Sequence, residues 1–130
     1  MELNIPEVVA EVEAAFDRYE AALVGNDIAV LDELFWDSAA TIRFGVGESL
    51  YGHQEIARFR SERPVVDLHR QLLRTVVTTY GRDVATTCAE FRRSRSGDVG
   101  RQSQTWVRLP EGWRIVVAHV SLLPQPVKLD

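Results

Sequence analysis

The sequence predicts an α+β fold in which helices come first and a run of long antiparallel strands follows. Three observations support this prediction. Apolar residues recur at helical spacing near the N-terminus, they alternate with polar residues after Pro64, and short turns separate the alternating segments. The chain has 130 residues, which fits one domain over residues 1–130 with a hydrophobic core of its own.

The first helix is predicted from Glu7 to Val24, because apolar residues recur there every three or four positions while acidic residues fill the remaining arc. Asn4 and Glu7 resemble a capping pair at its start, and Gly25 is expected to end it in the left-handed conformation. A short second helix follows Asp27. The two helices should therefore form a hairpin.

Two short strands, Thr41–Phe44 and Ser49–Tyr51, are predicted on either side of a turn that contains two glycines. A third helix follows and stops at Pro64. Because the later links are short, the strands they join should pair antiparallel and curve around the helices, leaving a cone with a pocket at its mouth. The four long strand candidates are Leu68–Tyr80, Val84–Arg95, Arg101–Leu109 and Trp113–Leu122.

Composition narrows the functional classes. The net charge of -4 does not favour nucleic-acid binding, and the single Cys88 cannot form an internal disulfide. We find no apolar run of membrane-spanning length, no phosphate-binding glycine loop and no histidine or cysteine spacing typical of a metal site. We therefore expect a soluble, cytoplasmic protein without metal or cofactor, whose C-terminal LPQPVKLD covers a surface or crosses to another subunit.

Five segments, together with the order of elements, resemble the NTF2-like superfamily, and within it the SnoaL-like cone proteins and their AtzH-like branch. The segments are ALVGNDIAVLDELF, TIRFG, YGHQEIARFR, GRQSQTWVR and GWRIVVAHVS, which extend over nearly the whole chain. The resemblance implies a cone of three N-terminal-half helices packed in a strongly curved, mainly antiparallel sheet of about six strands. It also implies an interior pocket and a homodimer formed through the sheet.

One cone fold hosts dehydratases, isomerases, hydrolases and binding modules, so the fold alone does not assign an activity. The AtzH-like branch is associated with amide-bond catabolism, and its name-giving member with the conversion of dicarboxyurea to allophanate. This resemblance implies a cofactor-independent enzyme of the hydrolase (amidase) type, acting on a small carboxylated amide or urea by hydrolysis or decarboxylation. Two alternatives stay open: a non-catalytic dimeric module that binds a small acid or accompanies an amidase, and a SnoaL-like isomerase or dehydratase.

Arg43 lies between two apolar residues in the first short strand, where an inward-facing charge is costly unless an anion meets it. Its guanidinium matches a carboxylate through two parallel hydrogen bonds, but an internal pair with Glu48 or Glu90 is an equal alternative. In AtzH-like proteins an arginine of this strand and a tyrosine of the first helix are linked to activity. They match Arg43 and Tyr19, which we therefore expect to anchor a carboxylate and to transfer protons.

Tyr19 shares the predicted inward face of the first helix with Phe16 and Leu23, so its hydroxyl requires a partner or a ligand. A neighbouring guanidinium favours the ionised form of a phenol, which can then act as an acid or base towards an amide nitrogen. An ordinary core tyrosine is the alternative on sequence grounds alone.

Further substrate-binding residues are expected on the walls of the pocket. His119 shares a predicted strand face with Trp113, where its imidazole is either a base or a hydrogen-bonded structural group. Gln102 and Gln104 alternate onto the face of Trp106, which suits a pocket wall that reads an amide or a hydrated dimer interface. The predicted substrate-binding residues, besides Arg43, are Trp36, Phe44, Trp106 and His119.

Arg60 and Arg63 stand at the end of the predicted third helix. Positive charge is favourable near a helix C-terminus, where it interacts with the helix dipole. The same charges would attract an anion towards the mouth of the cone. The sequence therefore indicates a steering role for both residues.

Overall fold

The computed structural model describes residues 1–65 and 68–125, so part of the C-terminal LPQPVKLD stretch lies outside the described residues. Three helices and six strands follow one another in the predicted order, with bounds within a few residues of those expected. The elements are α1 Pro6–Val24, α2 Ile28–Leu34, β1 Ile42–Phe44, β2 Ser49–Tyr51, α3 His53–Glu62, β3 Arg70–Tyr80, β4 Val84–Arg93, β5 Val99–Leu109 and β6 Gly112–Leu122.

The strands form one open, mixed sheet in the order β2-β1-β6-β5-β4-β3. β1 runs parallel to β6, whereas all other neighbours are antiparallel, as the short links between them require. The short β1–β2 hairpin therefore extends the β6 edge of the meander. This confirms the predicted α+β cone with a mainly antiparallel sheet of six strands.

The core lies between the helices and the inward face of the sheet. α1 buries one face along its whole length. α2 and the following Phe35 also contribute buried side chains to the core. Burial of each large apolar side chain stabilises the fold by about 1.5–3 kcal/mol. The most buried apolar side chains are Val8, Val12, Phe16, Leu31, Leu34, Phe35, Ile56, Trp106 and Ile115.

The ends of α1 differ from the sequence expectation. Asn4 does not cap the helix, because it pairs with the edge of β3 instead: its backbone N–H donates to Thr79 O at 3.0 Å and its Oδ1 accepts from Thr79 N at 2.9 Å. Gly25 remains right-handed at φ −82°, and the left-handed residue is Asn26 at φ 52°. An asparagine tolerates this conformation at low cost, so the turn moves by one position.

A β-bulge in β6 reverses the faces of that strand. Thr105 pairs with Val117 and the next residue, Trp106, pairs with Ile115, which leaves Val116 as the extra residue. Ile115 is fully buried, whereas Val117 is 45% exposed and His119 is exposed on the outer face. The expectation that His119 shares a face with Trp113 is therefore wrong, because the extra residue interrupts the alternation.

Among the described residues, no helix is long and apolar enough to cross a membrane.

Candidate active site

A cavity of about 70 Å³ opens between α1, the end of α3 and the inward face of the sheet. Because a water molecule needs about 10–15 Å³ by this measure, the cavity holds about five water-sized groups, enough for a small acid. Its wall combines one tyrosine, one glutamine and four arginines with apolar residues. The described lining residues are Tyr19, Leu23, Arg43, Arg63, Leu68, Arg70, Phe91, Arg93, Gln102 and Val120.

Arg43 enters the cavity as a partly neutralised cation. It lies at the centre of β1 and is 8% exposed. Its Nη1 donates to Glu48 Oε1 at 2.9 Å, and its guanidinium carbon lies 5.6 Å from the centre of the Phe59 ring. The internal pair with Glu48 that the sequence left open is therefore formed. It occupies one nitrogen of a side chain that also lines the cavity.

Arg70, at the start of β3, is the most extensively bonded of the four. Its Nε donates to Glu20 Oε2 at 3.2 Å, and its Nη2 contacts the other oxygen of the same carboxylate. Nη2 also donates to Gln102 Oε1 at 3.0 Å, and the guanidinium stacks 4.3 Å from the centre of the Phe91 ring. Because the side chains of Arg70 and Glu20 are 5% and 13% exposed, this is a buried, locally neutral pair.

The Phe91 ring below Arg70 is held by its cross-strand neighbour, Gly100. A Cβ atom at position 100 would lie 2.3 Å from Phe91 Cζ and 2.8 Å from Ser121 O, closer than side chains approach one another. Only glycine leaves room for the ring here, a usual reason for glycine inside a strand. The position of the Arg70 cation therefore depends on a residue that does not contact it.

Arg60 is the most deeply buried cation near the cavity. It lies on the inward face of α3, 1% exposed, with its guanidinium carbon 4.8 Å from the centre of the Phe35 ring. None of its three side-chain nitrogens has an acceptor in hydrogen-bond geometry among the described residues, although the Tyr19 hydroxyl lies close enough to favour the charged form of Arg60. Burial lowers the pKa of Arg60 to about 10; the nearby Tyr19 opposes this shift, and the charge of Arg43 adds to it.

Arg63 immediately follows α3 and lines the cavity directly. Two of its nitrogens, Nε and Nη2, are buried and have no acceptor among the described residues. Burial lowers the pKa of Arg63 and the charge of Arg43 lowers it further, whereas Tyr19 and Glu48 act in the opposite direction. Arg63 therefore presents unused N–H donors to the cavity.

Tyr19 joins the cavity to the buried Arg60. It projects from α1, is 3% exposed, and its ring centre lies 6.4 Å from that of Phe35, on which Arg60 stacks. Tyr19 lies close enough to both arginines to oppose the lowering of their pKa values by burial. The phenol thus lies next to two cations that lack a carboxylate partner among the described residues.

Two inward-facing amides lie on β5. Gln102 lines the cavity, with its oxygen accepting from Arg70, and Gln104 lies two residues further along with its oxygen accepting from Thr87 Oγ1 at 3.0 Å. The Nε2 atoms of both amides are buried and have no acceptor among the described residues. Of these two residues, only Gln102 belongs to the described cavity lining.

Tyr19 and Arg43 are thus brought together at one cavity, but Trp36 and Trp106 do not belong to its described lining. The backbone of Trp36 joins α2 to the sheet, donating from N to Ile115 O at 2.9 Å. Trp106 is fully buried in the core, where its Nε1 donates to Thr87 Oγ1 at 3.0 Å. The indole of Trp106 is thus a packing group of the core, and Trp36 is partly buried outside the described lining.

Phe44 and His119 lie on the outer face of the sheet, opposite each other in the β1–β6 pair. Their ring centres are 5.9 Å apart in an edge-to-face arrangement, and Phe44 makes a similar contact with Tyr51. Neither residue lines the cavity. The bulge in β6 explains this position for His119.

The sequence assigned Arg60 and Arg63 to the cone mouth and gave Arg70 no role. A signal existed for Arg60: it follows Ile56 by four residues, so the two share the inward face of α3. The same reasoning that singled out Arg43, a charge at an apolar position, applies to it. Arg70 gave no such signal, because its partner Glu20 is fifty residues away in the sequence.

No cluster of three or more residues suited to holding a metal ion occurs in the part of the chain that the structure describes. A larger depression of about 430 Å³ lies beside the cavity, and they share Leu68. Its other described lining includes Val24, Val65 and the exposed Arg95, without the buried charges of the cavity. The smaller, arginine-lined cavity is therefore the candidate site.

Three helices packed on a curved, open sheet, with a polar cavity inside, define an NTF2-like cone protein. An NTF2-like superfamily protein from Salmonella enterica has this fold at 24% identity, with a TM-score of 0.73 and coverage of 92% of this chain and 93% of that one. The AtzH-like family model matches residues 1–126. The chain belongs to the AtzH-like family.

Two solved structures are much more similar. A protein of unknown function from the DUF3225 family of Pectobacterium atrosepticum is 58% identical, with a TM-score of 0.91 over 94% of this chain and 95% of that one. A cystatin-like fold protein from Burkholderia xenovorans is 48% identical, with a TM-score of 0.91 over 97% and 99% of the two chains. No curated protein matches the sequence.

Proposed function

We propose that the protein is a cofactor-independent enzyme that acts, in the cytoplasm, on a small carboxylated amide or urea. The observation that carries this proposal is the pair formed by the buried Arg60 and the partly buried Arg63, which together have five buried nitrogens without an acceptor among the described residues beside Tyr19. Membership of the AtzH-like family supports the amide or urea class, since that branch is associated with amide-bond catabolism.

A buried cation without a counter-ion is expensive. Burial lowers the pKa of Arg60 to about 10, which corresponds to destabilisation of the charged form by about 3 kcal/mol. A carboxylate entering the cavity would supply the missing acceptors, and hydrogen bonds between ionised groups are the stronger kind. Retaining such an arrangement is typical of a functional site that trades stability for ligand binding.

Three of the lining arginines, and the buried Arg60 that is not part of the described lining, differ in how they can meet a ligand. Arg70 is fully engaged by Glu20 and Gln102, so it shapes the wall. Arg63 offers its unused donors directly, and Arg43 contributes the part of its fork that Glu48 does not occupy. In this proposal Arg63 and Arg43 bind the carboxylate, and Arg60 supplies positive potential from behind Tyr19.

Tyr19 is the proton-transfer group of the proposed reaction. Hydrolysis replaces a carbonyl carbon–nitrogen bond by a bond to the oxygen of water, and the leaving nitrogen must receive a proton. Decarboxylation of a carboxylated nitrogen also ends with a proton on nitrogen. Apart from arginines, Tyr19 is the one acid among the described lining residues, so it serves either reaction.

Anion binding is tested by thermal shift with malonate, oxamate and N-carbamoylglycine on the wild type, Arg63→Met and Arg108→Met. Arg108 forms an exposed pair with Asp83 far from the cavity and is the matched control. An anion at about a hundred times its dissociation constant should add roughly 2.7 kcal/mol of stability. We expect this gain in the wild type and in Arg108→Met and its loss in Arg63→Met; equal gains in all three would refute the receptor.

Catalysis is tested by ammonia and carbon dioxide release from allophanate, malonamate and N-carbamoylglycine. Tyr19→Phe should lower turnover by about 10²–10⁴-fold, the range for loss of a general acid–base group, without unfolding the protein. Tyr80→Phe is the control, since Tyr80 contacts only Thr86 Oγ1 among its described hydrogen-bond partners, at 3.2 Å. Full turnover in Tyr19→Phe would exclude the assigned role.

A binding module is the second candidate, because the described cavity wall has no serine, cysteine or carboxylate that could act as a nucleophile. It predicts anion-dependent stabilisation with the ligand recovered unchanged after long incubation. An isomerase or dehydratase of the SnoaL-like type has less support, because no aspartate or histidine occurs in that wall. Consumption of a probe at catalytic turnover distinguishes the enzyme from the module.

We also propose that a second copy of the chain covers the outer face of the sheet. Val76, Val84 and Val117 project from β3, β4 and β6 and are 45%, 39% and 45% exposed. Apolar exposure of this kind supports a protein contact. Sedimentation of the wild type should give twice the chain mass, and Val76→Glu should reduce it to one; a wild-type monomer would remove the proposal.

A further inference from the structure

The inward face of β5 carries a hydrogen-bond donor whose direction is fixed. Gln102 is 5% exposed and lies between Ala89 of β4 and Val120 of β6, both of which pair with it in the sheet. Its backbone is therefore held on two sides at the centre of the meander. The side chain projects into the cavity from this fixed point.

The orientation of the Gln102 amide follows from its neighbour. Its Oε1 accepts from Arg70 Nη2 at 3.0 Å, and a guanidinium has only donors. Rotating the amide by half a turn would place an NH₂ group against these donors, so the hydrogen-bond network excludes that orientation. Nε2 consequently points away from Arg70.

Arg70 itself has little freedom to move. The carboxylate of Glu20 takes both its Nε and its Nη2, and the Phe91 ring lies 4.3 Å from the guanidinium carbon. The chain from Glu20 through Arg70 to Gln102 is thus a series of buried contacts that ends at Nε2. That nitrogen is buried and has no acceptor among the described residues.

We propose that Gln102 Nε2 is the donor that recognises the carbonyl oxygen of the ligand, making Gln102 a specificity-determining residue. This inference rests on the proposed function. Arg63 and Arg43 meet a carboxylate by charge, but a neutral carbonyl oxygen requires a directed donor that does not itself demand a negative charge. Gln102 meets this requirement, because its Oε1 already accepts from Arg70 and only its neutral N–H donors remain for a ligand.

Because arginines bind the carboxylate and Gln102 binds the carbonyl oxygen, the site should select ligands that carry both groups. A ligand with a carboxylate but no carbonyl at the second position would bury Nε2 without an acceptor, which costs affinity. A site that hydrogen-bonds a ligand group rejects analogues lacking that group more strongly than an apolar site rejects a missing methylene. The cavity should therefore prefer carboxylated amides, ureas and ketones over isosteric alkenes.

Acetoacetate and 3-methyl-3-butenoate provide the test, because they have the same arrangement of non-hydrogen atoms and the same carboxylate and differ only in C=O against C=CH₂. Their dissociation constants are measured by calorimetry on the wild type, Gln102→Met and Gln104→Met. Gln104 is the matched control, being a buried amide of the same strand with an equally unused Nε2 outside the cavity wall. Circular dichroism establishes that each variant is folded.

We expect the wild type and Gln104→Met to prefer acetoacetate by about five- to tenfold, the size of one buried neutral hydrogen bond, and Gln102→Met to bind both ligands equally. A preference retained in Gln102→Met overturns the inference. Gln102→Glu keeps an oxygen for Arg70 but removes the N–H donors, so it should also lose the preference and provides the test should the Met variant not fold.

The outcome separates this inference from the proposed function. Equal binding of the two acids by the wild type would leave the anion receptor intact and refute the role of Gln102. No binding of either acid, together with no stabilisation by malonate, oxamate or N-carbamoylglycine, would refute both.

Discussion

Two pairs of arginines surround the same cavity under opposite conditions. Arg43 and Arg70 come from strands, and each has a carboxylate partner, Glu48 and Glu20. Arg60 and Arg63 come from the end of α3 and have no acceptor among the described residues for five of their nitrogens, three on Arg60 and two on Arg63.

The difference shows that burial alone does not reveal which charge is available to a ligand. A buried ion pair is a structural unit whose partners satisfy one another, and breaking it is costly because the remaining charge stays buried. A buried cation without a carboxylate partner lowers the stability of the folded protein until an anion binds to it. The charges of the strand arginines are therefore balanced by carboxylates, although Arg43 keeps part of its fork for a ligand, whereas Arg60 and Arg63 supply positive charge that no carboxylate balances among the described residues.

The largest effect on stability is expected from Glu20→Gln, which turns the buried Arg70 into an unpaired cation. The free energy of unfolding should fall by about 3–5 kcal/mol, the usual cost of removing one partner of a buried pair. Urea denaturation measures this change. A loss below about 1 kcal/mol would mean that Arg70 is already solvated and would remove the distinction between the two pairs.

Arg60→Met should change stability in the opposite direction. Burial lowers the pKa of Arg60 to about 10 in the folded protein, so the folded state holds the proton less tightly than the unfolded chain does. The penalty is fully present below about pH 10 and is relieved as pH rises through that value. At pH 7 the variant should therefore gain about 1–3 kcal/mol.

The same variant should bind anions less well. Affinity for malonate should fall about 30- to 300-fold, because the positive potential that Arg60 supplies from behind Tyr19 has been removed. Calorimetry on the folded variant measures this. A variant that is less stable than the wild type but binds malonate normally would make Arg60 a packing residue.

Glu48→Gln should make Arg43 resemble the α3 arginines. With its counter-charge removed, the Arg43 fork becomes available to a ligand, and malonate affinity should rise about three- to tenfold while stability falls by about 1 kcal/mol. Calorimetry and urea denaturation together test both parts. Unchanged affinity would show that Arg43 does not face the anion.

The smallest effect is expected from Glu7→Gln, the control for Glu20→Gln on the same helix. Glu7 pairs with Arg82 at 3.3 Å, and both side chains are more than half exposed. Exposed pairs contribute about 0–1 kcal/mol, so stability and malonate affinity should hardly change. A change as large as that of Glu20→Gln would point to a general effect of charge on α1.

Much of the fold was readable from the sequence because periodicity is a strong local signal. The helical spacing of α1 predicted the inward position of Tyr19, whereas the position of Arg43 between apolar residues raised the question of its burial and the family resemblance favoured the pocket, where the structure has it. The side of the sheet on which His119 lies was not predictable, since the bulge at Val116 has no signature in the residues around it. A single extra residue reverses every later side chain.

The partners of the arginines were also beyond the sequence. Glu20 and Arg70 lie fifty positions apart, and only the packing of α1 on the sheet brings them together. Arg60 lacks an acceptor because of the residues that pack around it in the folded chain, and a local sequence pattern does not reveal these residues. Its position four residues after Ile56 indicates an inward side chain, but a cation near the C-terminus of a helix is equally well explained by the helix dipole.

Gly100 shows how a cavity of this kind can be tuned from outside. The clearance between Gly100 and the Phe91 ring sets the height of the ring, the ring carries Arg70, and Arg70 directs the amide of Gln102. A single methyl group at position 100 would displace the Phe91 ring, and the displacement would reach Gln102 through Arg70. If Gln102 selects the ligand as proposed, ligand preference would depend on Gly100, a residue that lies outside the described lining of the cavity.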